Sequence, residues 1–150
     1  MPNDRDADLS PAERQDFRCI AGMMVPASEE FGVPGADDEA IFADIQRSLG
    51  RDLPDVRNAL ARLATLAGGS FVALDSARRE AVAQAFLSSD TPEVATLGRT
   101  ILQCYYRDDR VVLSLGVEPR PPFPKGHTVE QGDWSLLDPV RARPKMWRDA

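Results

Sequence analysis

Apolar residues recur along most of this chain at three- and four-residue intervals. Phe17, Ile20, Ala21 and Met24 follow the i, i+3, i+4, i+7 spacing of one buried helix face. The stretch just before them, "SPAE", places Ser10 at an N-cap, Pro11 at the first helical position and Glu13 at the third. That is a capping box, with the proline where its missing N–H is harmless. Cys19 falls on the other side of this helix, and Pro26 ends it. A long acidic loop follows, with Pro26, Gly32, Pro34 and Gly35 as turn formers. A second helix starts near Asp37 or Asp38, buries Ile41, Phe42, Ile45 and Leu49, and stops at Gly50.

A third helix starts near Leu53–Pro54, with Val56, Leu60, Leu63 and Ala67 on one face and Gly68–Gly69 as its terminator. Phe71, Val72 and Leu74 form a short apolar connector. Asp75 caps a fourth helix running to about Leu87, with Val82, Ala85 and Phe86 turned inward. Thr91 caps the fifth, with Pro92 first and Glu93 in the favourable first turn. Its buried stripe is Val94, Leu97, Ile101 and Tyr105, with Cys104 at the edge. "DDRVVLSLG" reads as a short last helix or turn closed by Gly116. No run of strands appears, nor a repeat of roughly 20–50 residues. The expectation is an all-α protein, with about five helices in a body spanning 1–117.

Residues 118–150 break the pattern and read as an extended, proline-rich arm. Six of the twelve prolines lie there, with both tryptophans and the only histidine, His127. Disordered tails are poor in large aromatics. This one carries Phe123, Trp134, Leu136, Leu137, Met146 and Trp147. Burying one such side chain contributes about 2–3 kcal/mol. Left exposed, six of them would promote aggregation. Two covers are open: the chain's own helices, or another protein on which the arm lies. Polyproline geometry favours the second, since it lowers the entropy lost on docking.

Charge changes the picture in one respect. The net charge is −6, but residues 1–50 hold eleven acids against four bases. Residues 51–117 balance at eight and eight, and 118–150 carry five acids and six bases. No basic stripe forms, which argues against nucleic acid as a partner. The acidic first third reads as a solvated surface or a docking face for a basic partner. No apolar run approaches the ~20 residues of a membrane span. The opening "MPNDRDADLSPAERQDF" has neither an apolar core nor a twin arginine.

Candidate chemistry is sparse. His127 stands alone in a proline-rich segment, and Cys19 and Cys104 lie within helical patterns. They make no CxxC, and a metal site needs more ligands. Asp37, Asp38 and Glu39 read as a helix N-terminus, as do Asp108 and Asp109. "EEFGVPGADDE" does not fit a calcium loop, and neither GxGxxG nor a P-loop occurs. The residues therefore point to no catalytic, cofactor or metal site. They leave three classes open: a subunit or binding partner, a stand-alone regulatory module with its tail folded back, and a small enzyme using His127 and carboxylates.

Two segments carry a resemblance. "LSPAERQDFRCIAGMMVPASEEFGVPGADDEAIFADIQ" joins a helix ending in Val25-Pro26-Ala27, an acidic loop, and a helix opening after Gly35-Ala36. "CYYRDDRVVLSLG" sets Tyr105 and Tyr106 before Asp108. Both resemble the gluconate 2-dehydrogenase subunit 3 family, the small subunits of bacterial flavoprotein dehydrogenases of the glucose-methanol-choline type. The resemblance implies an accessory chain without a cofactor of its own. It would bind a large FAD-dependent oxidoreductase subunit and help it mature. Many such relatives carry a twin-arginine signal, and this opening has none. Cytoplasmic location is expected, with co-export to the periplasm on a signal-bearing partner as the alternative. The expected contact is the arm, anchored by Phe123, Trp134 and Trp147 with Leu137 and His127, and with Asp133, Arg141 and Arg143 at its polar rim.

Overall fold

A computed structural model describes residues 8–121 and 123–144. The fold is all-α: among the described residues there are seven α-helices, two short 3-10 turns and no strand, only one isolated bridge between Ser28 and Val33. The chain divides into two units between Pro119 and Arg120.

In the first unit, helix α1 (Pro11–Met24) begins with the expected capping box. The Glu13 N–H donates to Ser10 Oγ at 3.3 Å, and the Ser10 N–H donates to Glu13 Oε2 at 2.7 Å. Phe17, Ile20 and Ala21 are buried, and Met24 packs half-buried against them. Helix α2 (Glu39–Ser48) starts at Asp38, whose carboxylate accepts from the Ala40 and Ile41 N–H groups. It buries Ile41, Phe42 and Ile45, and the Phe42 ring meets Phe17 edge-on at 5.5 Å. Helix α3 (Leu53–Ala67) buries Val56, Ala59, Leu60, Leu63 and Ala67. It ends at Gly68, whose φ of +70° suits a residue without a Cβ.

Helix α4 (Ser76–Leu87) is capped by Asp75, which accepts from the Arg78 N–H at 3.0 Å. Its buried residues are Ala83 and Phe86, with Val82 half-buried. Ala85, expected inward, is exposed. With Phe86 fixed as the inward anchor, the residue one turn back on the same face is Ala83, three positions earlier. Ala85 is adjacent to Phe86 and turned away from it. Helix α5 (Pro92–Tyr105) buries Val94, Leu97, Thr100, Ile101, Cys104 and Tyr105. Thr91 precedes it in extended backbone, but its hydroxyl makes no capping bond. Thr91 Oγ1 is buried without a hydrogen-bond partner among the described residues. Helix α6 (Asp109–Ser114) follows an Asp108 cap and buries Val111.

Helix α3 packs most extensively on α5, and also on α4 and α1, while α2 packs on α5. The connector between α3 and α4 is a series of turns that sends Phe71 into the same core. It is held by Asp16, a buried carboxylate accepting from the Val72 N–H at 3.0 Å and Ser70 Oγ at 3.4 Å. Arg79 grips it from the other side, donating to the Val72 and Leu74 carbonyls at 2.7 and 2.6 Å.

The second unit is not uniformly extended. Trp134–Leu137 form a 3-10 turn that runs into helix α7 (Asp138–Arg141). Asp133 starts the turn by accepting from the Ser135 N–H at 3.0 Å. Pro139 falls in the first turn of α7, where a proline needs no N–H partner. A proline-rich composition therefore admits this one helical turn.

Leu63 is fully buried on α3. Leu63→Ala is expected to destabilise the first unit by about 2–5 kcal/mol, because the cavity adds to the lost burial. Urea unfolding followed by circular dichroism measures it; a loss below ~1 kcal/mol would mean that α3 is not central.

Candidate functional site

The residues expected to meet a partner lie in the second unit, and every described residue from 123 to 144 is exposed. Phe123 is 86% exposed, Trp134 60% and Leu137 41%. Leu136 and Val140 are also exposed, so the 3-10 turn and α7 carry four large apolar side chains within seven positions. His127 and Arg143 are exposed as well. Arg141 pairs with Asp138 at 3.1 Å. Asp133 is committed inside the arm: Ser135 donates to it through its hydroxyl at 2.6 Å and through its N–H. The Ser135 hydroxyl and N–H hold that carboxyl below the usual range. Trp147 and Met146 lie outside the described residues.

The first unit holds ion pairs that spacing along the chain does not reveal. Arg110 reaches back to Asp38 at 2.7 Å and to Asp108 at 2.9 Å, joining the starts of α2 and α6. Arg107 pairs with Asp44 at 2.6 Å and also meets Ser48, tying the end of α5 to α2. The arginine hydrogen bonds depress the carboxyls of Asp38, Asp44 and Asp108. Arg57 to Glu13 and Arg99 to Asp52 make two further long-range pairs. Each such exposed pair is worth only ~0–1 kcal/mol, so they fix where helices meet rather than supply most of the stability.

Cys19 and Cys104 are free thiols. Burial pushes both above their ordinary value. For Cys104, Arg107 at 3.5 Å from Sγ opposes that push without reversing it. Thiols of this kind are protonated and poorly nucleophilic at neutral pH. Among the described residues, no group of three or more His, Cys, Asp or Glu could hold a metal ion. No described helix is long and apolar enough to cross a membrane. An open groove of about 470 Å³ lies beside α5, lined by Met24, Leu87, Thr91, Val94, Gly98 and Leu102 among others.

Comparisons with protein-family models, with curated proteins and with solved structures each gave no match.

A carboxylate whose folded value is depressed stabilises the fold above its unfolded value and loses that contribution as pH falls through the folded one. Asp38, Asp44 and Asp108 therefore make stability fall below about pH 4, the ordinary aspartate range. Arg110→Gln is expected to flatten that acid limb, read from urea midpoints between pH 7 and pH 3; an unchanged limb would remove the Asp38–Arg110–Asp108 cluster from the account. For the thiols, iodoacetamide at neutral pH should alkylate Cys104 roughly a hundredfold or more slowly than a free cysteine, with Cys19 in between. Equal rates for Cys104 and free cysteine would mean that the thiol is activated.

Proposed function

We propose that this chain is a non-catalytic small subunit that binds, stabilises and helps mature a large FAD-dependent oxidoreductase of the glucose-methanol-choline type, a sugar or alcohol dehydrogenase. This is the role of the gluconate 2-dehydrogenase subunit 3 family that it resembles. The carrying observation is the arm. Phe123, Trp134, Leu136, Leu137 and Val140 are all exposed on a segment that buries none of its described residues after 122. Tryptophans and arginines dominate the energetics of protein interfaces, and Trp134 and Arg143 are both solvent-accessible there.

In this reading the helical body, 1–117, carries a proline-rich arm, 118–150, that lies on the partner. FAD and the chemistry belong to the partner subunit, and this chain holds no cofactor. It acts by mass action: a chain that binds the folded, FAD-loaded subunit in preference to the apo or unfolded form pulls the equilibrium toward it. The pair resides in the cytoplasm, or reaches the periplasm on a signal carried by the large subunit.

The test is a tagged purification from the native host, with mass spectrometry and a flavin absorbance spectrum of the eluate. A flavin-bearing partner should co-purify. Trp134→Ala should weaken that complex by about 2 kcal/mol, some thirtyfold in Kd, with the helical circular dichroism unchanged. A colourless, monodisperse chain whose body is destabilised by Trp134→Ala would overturn the reading and make the arm intramolecular.

A further inference from the structure

We propose that the turn from Ser28 to Val33 is a second docking element: Phe31, flanked by Glu29 and Glu30, inserts into an apolar pocket on a partner protein whose rim carries lysine or arginine. The surface belongs to the helical body, and the inference does not rest on the arm.

The turn is held from both sides. Ser28 and Val33 exchange backbone N–H···O bonds of 3.0 Å each. The Gly32 N–H donates to the Glu29 carbonyl at 3.2 Å, and the Phe31 N–H donates to Ser28 Oγ at 3.3 Å. Gly32 has φ +61°, so the tight reversal depends on a residue without a Cβ. At the base, the Ala36 N–H donates to the Val25 carbonyl at 2.8 Å. The hydroxyl of Tyr105, a buried residue of α5, donates to the Pro34 carbonyl at 3.1 Å. Val33 packs on the core, whereas Phe31, two residues earlier, is 66% exposed. An ordered turn that holds an aromatic ring in solvent loses little conformational freedom when that ring is covered.

Charge selects the occupant. Four described acids of the first fifty residues pair with arginines, Asp8 with Arg14, Glu13 with Arg57, Asp38 with Arg110 and Asp44 with Arg107, while Asp37 and Glu39 stay exposed without an ion pair among the described residues. The Glu29 and Glu30 side chains are exposed and make no ion pair among the described residues. Their charge beside the ring repels anionic lipid headgroups and phosphate backbones. It attracts a protein surface with cations around an apolar cavity, where complementary charge steers the encounter.

Replacing Phe31 by the photo-crosslinker p-benzoylphenylalanine in the full chain, expressed in the native host, tests this by mass spectrometry of the adducts. The expected adduct joins position 31 to a peptide of another protein with at least two lysines or arginines among apolar residues. Its yield should fall roughly fivefold or more when Glu29→Lys and Glu30→Lys are combined, with circular dichroism unchanged. The proposal is overturned by any of four results: no adduct from position 31, an adduct on a peptide lacking cations, an adduct with a second copy of this chain, or a yield indifferent to the charge reversal. The same crosslinker at position 134 separates the two surfaces. Adducts from 134 alone remove the turn and leave the arm; adducts from 31 alone do the reverse.

Discussion

The contact between α3 and α5 is the constraint on which the rest of the helical unit depends. Helix α3 packs on α5, α4 and α1, and α2 packs on α5. Every helix of that set presents its stripe to one core, which also takes in Phe71 from a connector and Leu9 from before α1. Cores of this density respond to the loss of even one methylene, so the α3 and α5 stripes are the least tolerant part of the sequence. Asp16 is the exception that fits this logic. It is buried, but its oxygen ties down the backbone of the turn that delivers Phe71. A carboxylate placed there without that partner would be costly.

Helix beginnings were legible because they rest on local chemistry. Ser10, Asp38, Asp75 and Asp108 each accept from an N–H two or three residues on. Stripes rich in large residues were legible for the same kind of reason, since Ile, Leu and Phe leave little doubt about which face is inward. Helix α4 shows where this runs out. Alanines surround Phe86 there, and a small side chain contributes too little burial to mark a face. Thr91 shows another limit: a residue type that suits a cap precedes the helix without making the capping bond. The Arg107–Asp44 and Arg110–Asp38 pairs span sixty or more positions, and only the folded core brings them together. In the arm, the aromatic residues could be named from sequence, whereas the proline-rich composition points to extended chain and not to the turn that Asp133 begins. The Ser135 N–H that closes this turn onto Asp133 is brought within reach only by the folded backbone.

The choice of arginine throughout the body follows from what these pairs must do. Both lysines of the chain, Lys125 and Lys145, lie in the arm. Arg110 has to reach two carboxylates at once, and a planar guanidinium offers several fixed donors where an ammonium offers a point charge. The pairs add little energy each, yet they set the register between α2 and the α5–α6 corner. They also neutralise Asp38 and Asp44 in the acidic first third. Glu29 and Glu30 keep their charge exposed beside Phe31, as Asp37 and Glu39 do at the start of α2.

The two proposed contact surfaces meet the same thermodynamic problem by different means. Binding loses translational freedom and the freedom of whatever must be ordered. In the arm, prolines restrict the backbone before any partner arrives, so its aromatic side chains can be covered at a reduced entropic loss. In the Ser28–Val33 turn, four hydrogen bonds and the anchor from Tyr105 do the same for a single ring. The arm offers mainly apolar area and the turn offers charge with one anchor, so they would contribute differently. Loss of the arm's anchors should raise the dissociation rate, whereas exposed charge acts mainly on association and is screened by salt. Joined in one chain, two such contacts on one partner make the second an intramolecular event. A weak, charge-selected contact at the turn can then add to affinity without itself burying a large surface.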